Sequence, residues 1–409
     1  MTAFPITTEV AIVGAGTAGA AAALCCAQNG LEVVCVDRSA LDQAGAHWVN
    51  GVPASCFERA GIAPPEPPEC LARGVDFHLV AGYGPERVVI EDHDLMEVDM
   101  RRLVERLQTE AREAGATFIG STRVRGSNGP ALETDRGRIS ADWIVDASGL
   151  SGARLLDQKR PAPEKLCAAA QAVYRVSERA AAKDFFARHD VPVGDTLCFS
   201  GIEGGYSILN LRLDGEHLSI LTGSIPADGH RSGRAILRDF VDEHDWIGER
   251  EFGGSRAIPV GAPLERFVRK NVVAIGDAAR QVFSAHGSGI GAGLIAARLL
   301  ADALADGRGP KGYERDWHSE FGPLFASYAV FADFTRTLTV DDLADMMRSG
   351  LMDADMATAG LTQRMPPVEP RRLVAKVRGL LQAPALAARL APAAARMALT
   401  HARHRIAGR

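Results

Sequence analysis

V-A-I-V-G-A-G-T-A-G-A-A-A-A-L-C-C-A-Q-N-G-L-E-V-V-C-V-D, residues 10–37, decides the fold. The apolar run ending at Val13 reads as a buried strand. Gly14, Gly16 and Gly19 follow at once as G-x-G-x-x-G, an Ala-rich helix comes next, and a second apolar strand ends on Asp37. Each residue type has a physical task. Gly14 permits the tight turn, Gly16 lets the backbone approach a pyrophosphate, and Gly19 lets helix and strand lie close together. The first helical residues, Thr17 and Ala18, offer unpaired N–H groups at the positive end of the helix dipole, where phosphates are stabilised. Asp37, with Arg38 beside it, stands about 20 residues on, where the fingerprint places an acid for a ribose hydroxyl. Strand, glycine turn, helix, strand and acid in this order predict a dinucleotide site; a Gly-rich turn of another α/β fold would not supply Asp37.

Working outward, 409 residues suffice for two domains with substantial cores. The composition, 46% hydrophobic and 24% charged, is that of an ordinary soluble protein, and a net charge of −5 argues against nucleic-acid binding. The seven cysteines show no C-x-x-C and no metal-ligand spacing, so no metal site is expected. Their odd number suits a reducing cytoplasm, and adjacent Cys25 and Cys26 are expected to be packed, not paired. No basic segment precedes an apolar core at the N-terminus, and no apolar run is long enough to span a membrane.

Two later blocks separate FAD from NAD. Residues 141–154 read A-D-W-I-V-D-A-S-G-L-S-G-A-R, and residues 271–304 hold N-V-V-A-I-G-D followed by a Gly-rich turn and a long Ala/Leu helix. With these blocks in order, the chain resembles the FAD-dependent monooxygenase superfamily over roughly residues 8–310. That superfamily includes p-hydroxybenzoate hydroxylase-like enzymes, flavin halogenases and geranylgeranyl reductases. The run G-G-S-R-A-I-P-V-G-A-P-L-E-R (253–266) is similar to the geranylgeranyl reductase branch in particular.

The resemblance implies FAD as cofactor. It places Ala147, Gly149, Gly276 and Val124 against it, Asp277 on a ribitol hydroxyl, and Gly289, Ile290 and Gly291 at the flavin pyrimidine edge. A helix N-terminus there would stabilise the negative charge of reduced flavin. The turn at 287–293 is not a second dinucleotide fingerprint, because its strand ends well upstream at Ile275. Electrons are therefore expected from docked NAD(P)H or a separate flavin reductase.

The departures from the superfamily are specific. Ser284-Ala285-His286 replaces a proline before the turn, and Gly291-Ala292 an asparagine. The position that usually carries a phosphate-facing Arg or Gln is Met100, leaving Arg101 as substitute. The halogenase W-x-W-x-I-P motif is absent, and only Tyr206 remains of the reductases' Y-x-W-x-F-P.

The implied architecture is α/β: a discontinuous Rossmann-type FAD-binding domain (1–60, 95–160, 255–310) and an inserted, mainly antiparallel β-sheet substrate domain (61–94, 161–254). A helical C-terminal region (311–409) ends in a basic tail. Apolar residues at 100, 103, 104 and 107 predict a helix, and Asp214-Gly215 between apolar runs predicts a hairpin. Pro64-Pro65-Glu66-Pro67-Pro68 reads as a stiff spacer. Beyond Arg371 there is no acid, and Leu373, Val374, Val377, Leu380 and Leu381 share a helical face. That segment either lies on the acidic body or touches an anionic surface as a peripheral contact; Pro384 and Pro392 favour the former.

Two histidines are candidate catalytic groups. His286 adjoins the Gly-rich turn, and His47 follows the second strand on the flavin's other side, next to Trp48, a residue of either the pocket wall or the core. The leading expectation is an FAD-dependent monooxygenase-like oxidoreductase that uses reduced FAD and O2 to hydroxylate an electron-rich, aromatic substrate, free, carrier-bound or a peptide tryptophan. Two alternatives stand beside it: a geranylgeranyl-reductase-like C=C reductase, and a non-catalytic flavoprotein partner in protein modification.

Overall fold

The computed structural model describes residues 4–366 and 384–407, with Lys376 and Leu380 between them. Leu373, Val374, Val377 and Leu381 lie outside the described residues.

The first strand, Ile6–Val13, runs parallel between Val33–Val36 on one side and Arg138–Asp146 on the other. Thr117–Ile119 and Val272–Ala274 extend this parallel sheet outward, and an antiparallel pair, Val124–Asn128 with Ala131–Thr134, hangs from it. The helix Thr17–Gln28 is buried on nearly all sides, which its run of alanines and Cys25 and Cys26 allows. It lies among the sheet, the amphipathic helix Met100–Glu113 and the long helix Ile290–Ala305. Both cysteines are free thiols. Met100, Leu103, Val104 and Leu107 are the buried face of their helix, as their spacing predicts, and Asp99 caps it by accepting from the Arg101 N–H.

Two glycines of the fingerprint are required by close approach. Gly14 has φ +104°, and a Cβ there would stand 2.5 Å from the Ala147 carbonyl oxygen. A Cβ on Gly19 would stand 1.7 Å from the Gly14 carbonyl oxygen, inside the turn itself. Backbone cannot yield that distance, so Gly19→Ala is expected to destabilise by about 3 kcal/mol and to lower FAD content together with the urea midpoint.

The second large sheet has seven strands in the order Ile247–Pro259, Leu166–Val176, His217–Ser224, Ser207–Asp214, Thr196–Ser200, Phe77–Ala81 and Arg87–Ile90. All its pairings are antiparallel except Thr196–Ser200 with Phe77–Ala81. The Asp214-Gly215 hairpin closes with Asp214 opposite His217. One face of this sheet holds Leu209, Leu211, Leu213, Leu218 and Ile220 against Phe185, Phe186 and Phe240 of two covering helices. The other face looks toward a three-stranded sheet, Val49–Pro53, Leu95–Asp99 and Cys70–Arg73.

The C-terminal helices lie over the junction. Pro384–Ala407 runs along Gly322–Thr335, buries Leu386 and Ala393, and ties Arg389 to Asp342 at 2.8 Å. Among the described residues no helix is long and apolar enough to cross a membrane.

Candidate active site

The carboxyl ends of the parallel strands open into a cleft of about 330 Å³, where this fold class binds ligands. Gly14, Gly16, Thr17 and Ala18 form its floor, and Gly16 faces Gly45 so closely that a Cβ would stand 3.1 Å from the Gly45 Cα. One end holds Asp37, Arg38 and Val124. The other holds Gly276, Asp277, Gly289 and Ile290, with Ala147 and Gly149 on the wall. Three sequence-distant segments thus meet around one elongated groove.

Asp37 lies at one end of the cleft and also holds the turn. Its Oδ2 accepts from the Ala15 N–H and its Oδ1 from the Ser39 N–H, both at 2.8 Å, so it also fixes the glycine turn. Asp146, fully buried at the end of its strand, accepts from the Ser148 N–H and hydroxyl and from the Leu155 N–H. It thereby shapes the Ala147–Gly149 wall, and burial raises its pKa.

Asp277 differs. Neither of its oxygens accepts a hydrogen bond from the described residues. Burial raises its pKa, and the nearby Arg256 opposes that rise. Gly289 must lack a side chain because a Cβ would stand 2.9 Å from Asp277 Oδ1. Gly289 also begins the helix Ile290–Ala305 with no side-chain cap, which leaves the first-turn N–H groups to a ligand. The Trp48 Nε1 is buried on the cleft wall without a partner among the described residues. A Gly-lined floor for phosphates, a carboxylate free for a sugar hydroxyl and an open helix start fit FAD.

Several expected residues take other parts. Arg101 is absent from the cleft lining: it follows its own cap residue and is held there, Nε and Nη2 on the two Asp99 oxygens at 3.0 and 2.7 Å, with its guanidinium 3.5 Å above the Phe252 ring. Arg123 and Arg256 line the cleft instead, and Arg256 also donates to the Gly45 carbonyl. Arg256 sits in the 253–266 run, where its charge beside the glycine floor was the available signal. Gly19 is a contact between turn and helix, not part of the lining. Gly291 likewise is not lining: its missing Cβ makes room for Cys56, whose Sγ would be 2.4 Å away. His47 lies between the lining residues Ala46 and Trp48 but lines neither the cleft nor the cavity behind it, and its Nε2 is buried without a partner.

His286 is placed by a closed turn. Phe283 and Ser288 pair as an isolated bridge, the Gly287 N–H donates to the Phe283 carbonyl, and Ser284 donates its hydroxyl to the Gly261 carbonyl at 3.0 Å. The last bond ties the turn to the 253–266 run, where the hydroxylases use proline. Burial pushes the His286 pKa down from 6.5 to about 4, and its Nε2 has no partner. At neutral pH the ring is uncharged.

The sign follows from linkage. The unfolded histidine takes up its proton first, so this burial contributes stability that is fully present above pH 6.5 and disappears as pH falls toward 4. The expected loss is about 3 kcal/mol. His286→Phe should flatten the urea stability curve over that window.

Residues 78–303, more than half of the chain, match the FAD dependent oxidoreductase family, and residues 9–60 match a FAD binding domain. The chain belongs to the FAD-dependent oxidoreductases. FAD is its cofactor. This oxidoreductase is 28% identical over 377 residues to a digeranylgeranylglycerophospholipid reductase of Methanothrix thermoacetophila, covering 83% of this chain and 90% of the relative. It is 25% identical over 336 residues to a menaquinone reductase of Mycolicibacterium smegmatis, covering 76% and 79%. In fold, the oxidoreductase is similar to a geranylgeranyl bacteriochlorophyll reductase-like protein from Thermoplasma acidophilum. The TM-score is 0.74 at 15% identity, over 95% of this chain and 99% of the other.

Proposed function

We propose that this oxidoreductase reduces a carbon–carbon double bond in a long unsaturated hydrocarbon chain of isoprenoid type. The ranking differs from the sequence-based expectation, in which hydroxylation led and alkene reduction was the alternative. Similarity to the two reductases extends over more than three quarters of the chain, too much to be confined to the cofactor-binding segments.

The observation that carries the reading is a slot of about 540 Å³ with one apolar side, beside the first turn of Ile290–Ala305. Cys56, Ala292, Ile295, Trp317, Phe321, Leu324 and Phe325 form its apolar side, and Ser55, Glu58, Arg59, Glu320, Thr362, Gln363 and Arg364 the polar remainder. The apolar side offers dispersion contact along which a hydrocarbon chain can lie, while the polar side, with the Arg59–Glu320 ion pair at 2.6 Å, is left to solvent or a polar end of the ligand. Ala292 brings the slot within one helical turn of the Gly289–Ile290 end of the cleft.

The chemistry that FAD supplies when bound in its reduced form is hydride transfer. Saturating the double bond then needs one proton at the second carbon. Tyr206, packed behind the Gly287 turn and not among the lining residues of cleft or slot, is the candidate to give it. Its buried hydroxyl has no partner among the described residues, stands 3.5 Å from where a Gly287 Cβ would be, and burial holds its pKa well above the ordinary range. The proton therefore stays on the phenol until negative charge develops beside it. Neutral His286, on the same turn, carries no charge to compete.

The test is product mass. Holoenzyme kept reduced under strict anaerobiosis with a geranylgeranyl-chain lipid should yield a product heavier by two hydrogens per reduced bond. An unchanged chain, with oxygen incorporated into an aromatic substrate once air is admitted, would refute the proposal.

A further inference from the structure

Behind the turn that carries His286 lies a second cavity of about 140 Å³, between the seven-stranded and three-stranded sheets. Strand Ser207–Asp214 turns Leu209, Leu211 and Leu213 into the core, whereas Ile208, Asn210 and Arg212 line this cavity. Several polar atoms in this cavity have no partner among the described residues. Asn210 Oδ1, His93 Nε2, His286 Nε2 and Ser288 Oγ are all buried and make no hydrogen bond among the described residues. Four such atoms around one small space are costly to leave unsatisfied, so the arrangement fits a ligand that supplies hydrogen bonds.

Charge narrows the class. Among the described residues, Arg212 is the one guanidinium or ammonium lining the cavity, and it is spent: Nε donates to the Gly194 carbonyl at 2.9 Å, Nη1 to Glu97 at 2.9 Å and Nη2 to Asp214 at 3.2 Å. A phosphate entering here would have to draw Arg212 away and leave the Glu97 carboxylate buried and unpaired. A hydroxyl group faces no such obstacle. It can donate to the Asn210 amide oxygen and exchange bonds with Ser288 and the histidines.

The two spaces flank the same segment. His286 and Ser288 border the polar cavity, Ala292 borders the slot on its apolar side, and Leu361 and Thr362 stand side by side, one on each. We infer that the cavity is a head-group subsite selecting a neutral, hydroxyl-bearing head over a phosphorylated one, while the chain of the same substrate occupies the slot. The inference rests on the reading of the enzyme as an isoprenoid-chain reductase.

The experiment is a titration of the oxidised holoenzyme in one detergent, read from the perturbation of the flavin absorption spectrum. Its probes are geranylgeraniol, geranylgeranyl methyl ether and geranylgeranyl monophosphate, which differ only at the head. The alcohol should bind about tenfold more tightly than either of the others. Asn210→Leu, checked for an intact flavin spectrum, should reduce the alcohol to the level of the ether and leave the ether unchanged; Ser288→Ala should narrow the same gap. Phosphate binding as tight as the alcohol, or a preference that survives Asn210→Leu, overturns the inference. If none of the three binds, it is the isoprenoid reading that fails. In that case 2-naphthol against 2-methoxynaphthalene decides the head-group inference by the same ratio and the same variants.

Discussion

Asp277→Ala should purify with little or no bound flavin, and its FAD dissociation constant should rise roughly 10- to 100-fold. Most buried carboxylates of this chain are engaged by protein donors: Asp146 by Ser148 and Leu155, Asp99 by Arg101, Glu97 by Arg212. Asp277 is half-buried at the open start of the helix Ile290–Ala305 and accepts from none of the described residues. A buried acceptor left free in the apoprotein is costly unless a ligand uses it, so much of its worth is realised only when FAD binds. The variant should keep its fold, because no hydrogen bond from the described residues is lost and only the charge interaction with Arg256 goes. Retention of a full flavin complement would show that the ribitol lies elsewhere.

Tyr206→Phe should lower the anaerobic reduction rate by about 10²- to 10³-fold while FAD content and substrate affinity stay close to wild type. Phenylalanine keeps the ring among Cys167, Ile225, Val260 and Ile258, and only the hydroxyl is removed. Because that hydroxyl has no partner among the described residues, the substitution leaves no new unpaired group behind there. The split between rate and affinity distinguishes a proton donor from a packing residue: lost packing would weaken binding and stability together. A rate within a few-fold of wild type would remove Tyr206 from the chemistry.

Much of the fold is legible in the sequence because its signals are local. Residues 10–37 carry strand, turn, helix and acid in one continuous stretch, and the Gly149 and Gly276-Asp277 blocks each follow their own strand. The helix at Met100–Glu113 and the hairpin at Asp214-Gly215 follow from apolar periodicity and turn chemistry in the same way. The site is less legible, since it depends on which loops meet. Arg101 matched a family position, but a bidentate bond to its neighbour Asp99 outcompetes any reach toward phosphate. Arg256 was visible in a quoted motif, yet its approach to Gly45 and Asp277 depends on a strand from the other sheet ending beside the cleft. Likewise, no local pattern announces that Val49–Pro53, Leu95–Asp99 and Cys70–Arg73 form one small sheet, and that sheet closes the polar cavity. Ser284 shows how one local rule can be replaced: its hydroxyl bond to Gly261 anchors the turn where relatives of the hydroxylase type use proline.

The claim that an unsaturated chain lies beside the flavin is tested most directly by anaerobic mixing of the reduced holoenzyme with a geranylgeranyl-chain substrate, while flavin absorbance is followed in the absence of any other oxidant. Return of the oxidised flavin spectrum at a rate that rises with substrate concentration and saturates is the expected result. A flavin that remains reduced until oxygen is admitted, whatever the substrate concentration, would contradict the account.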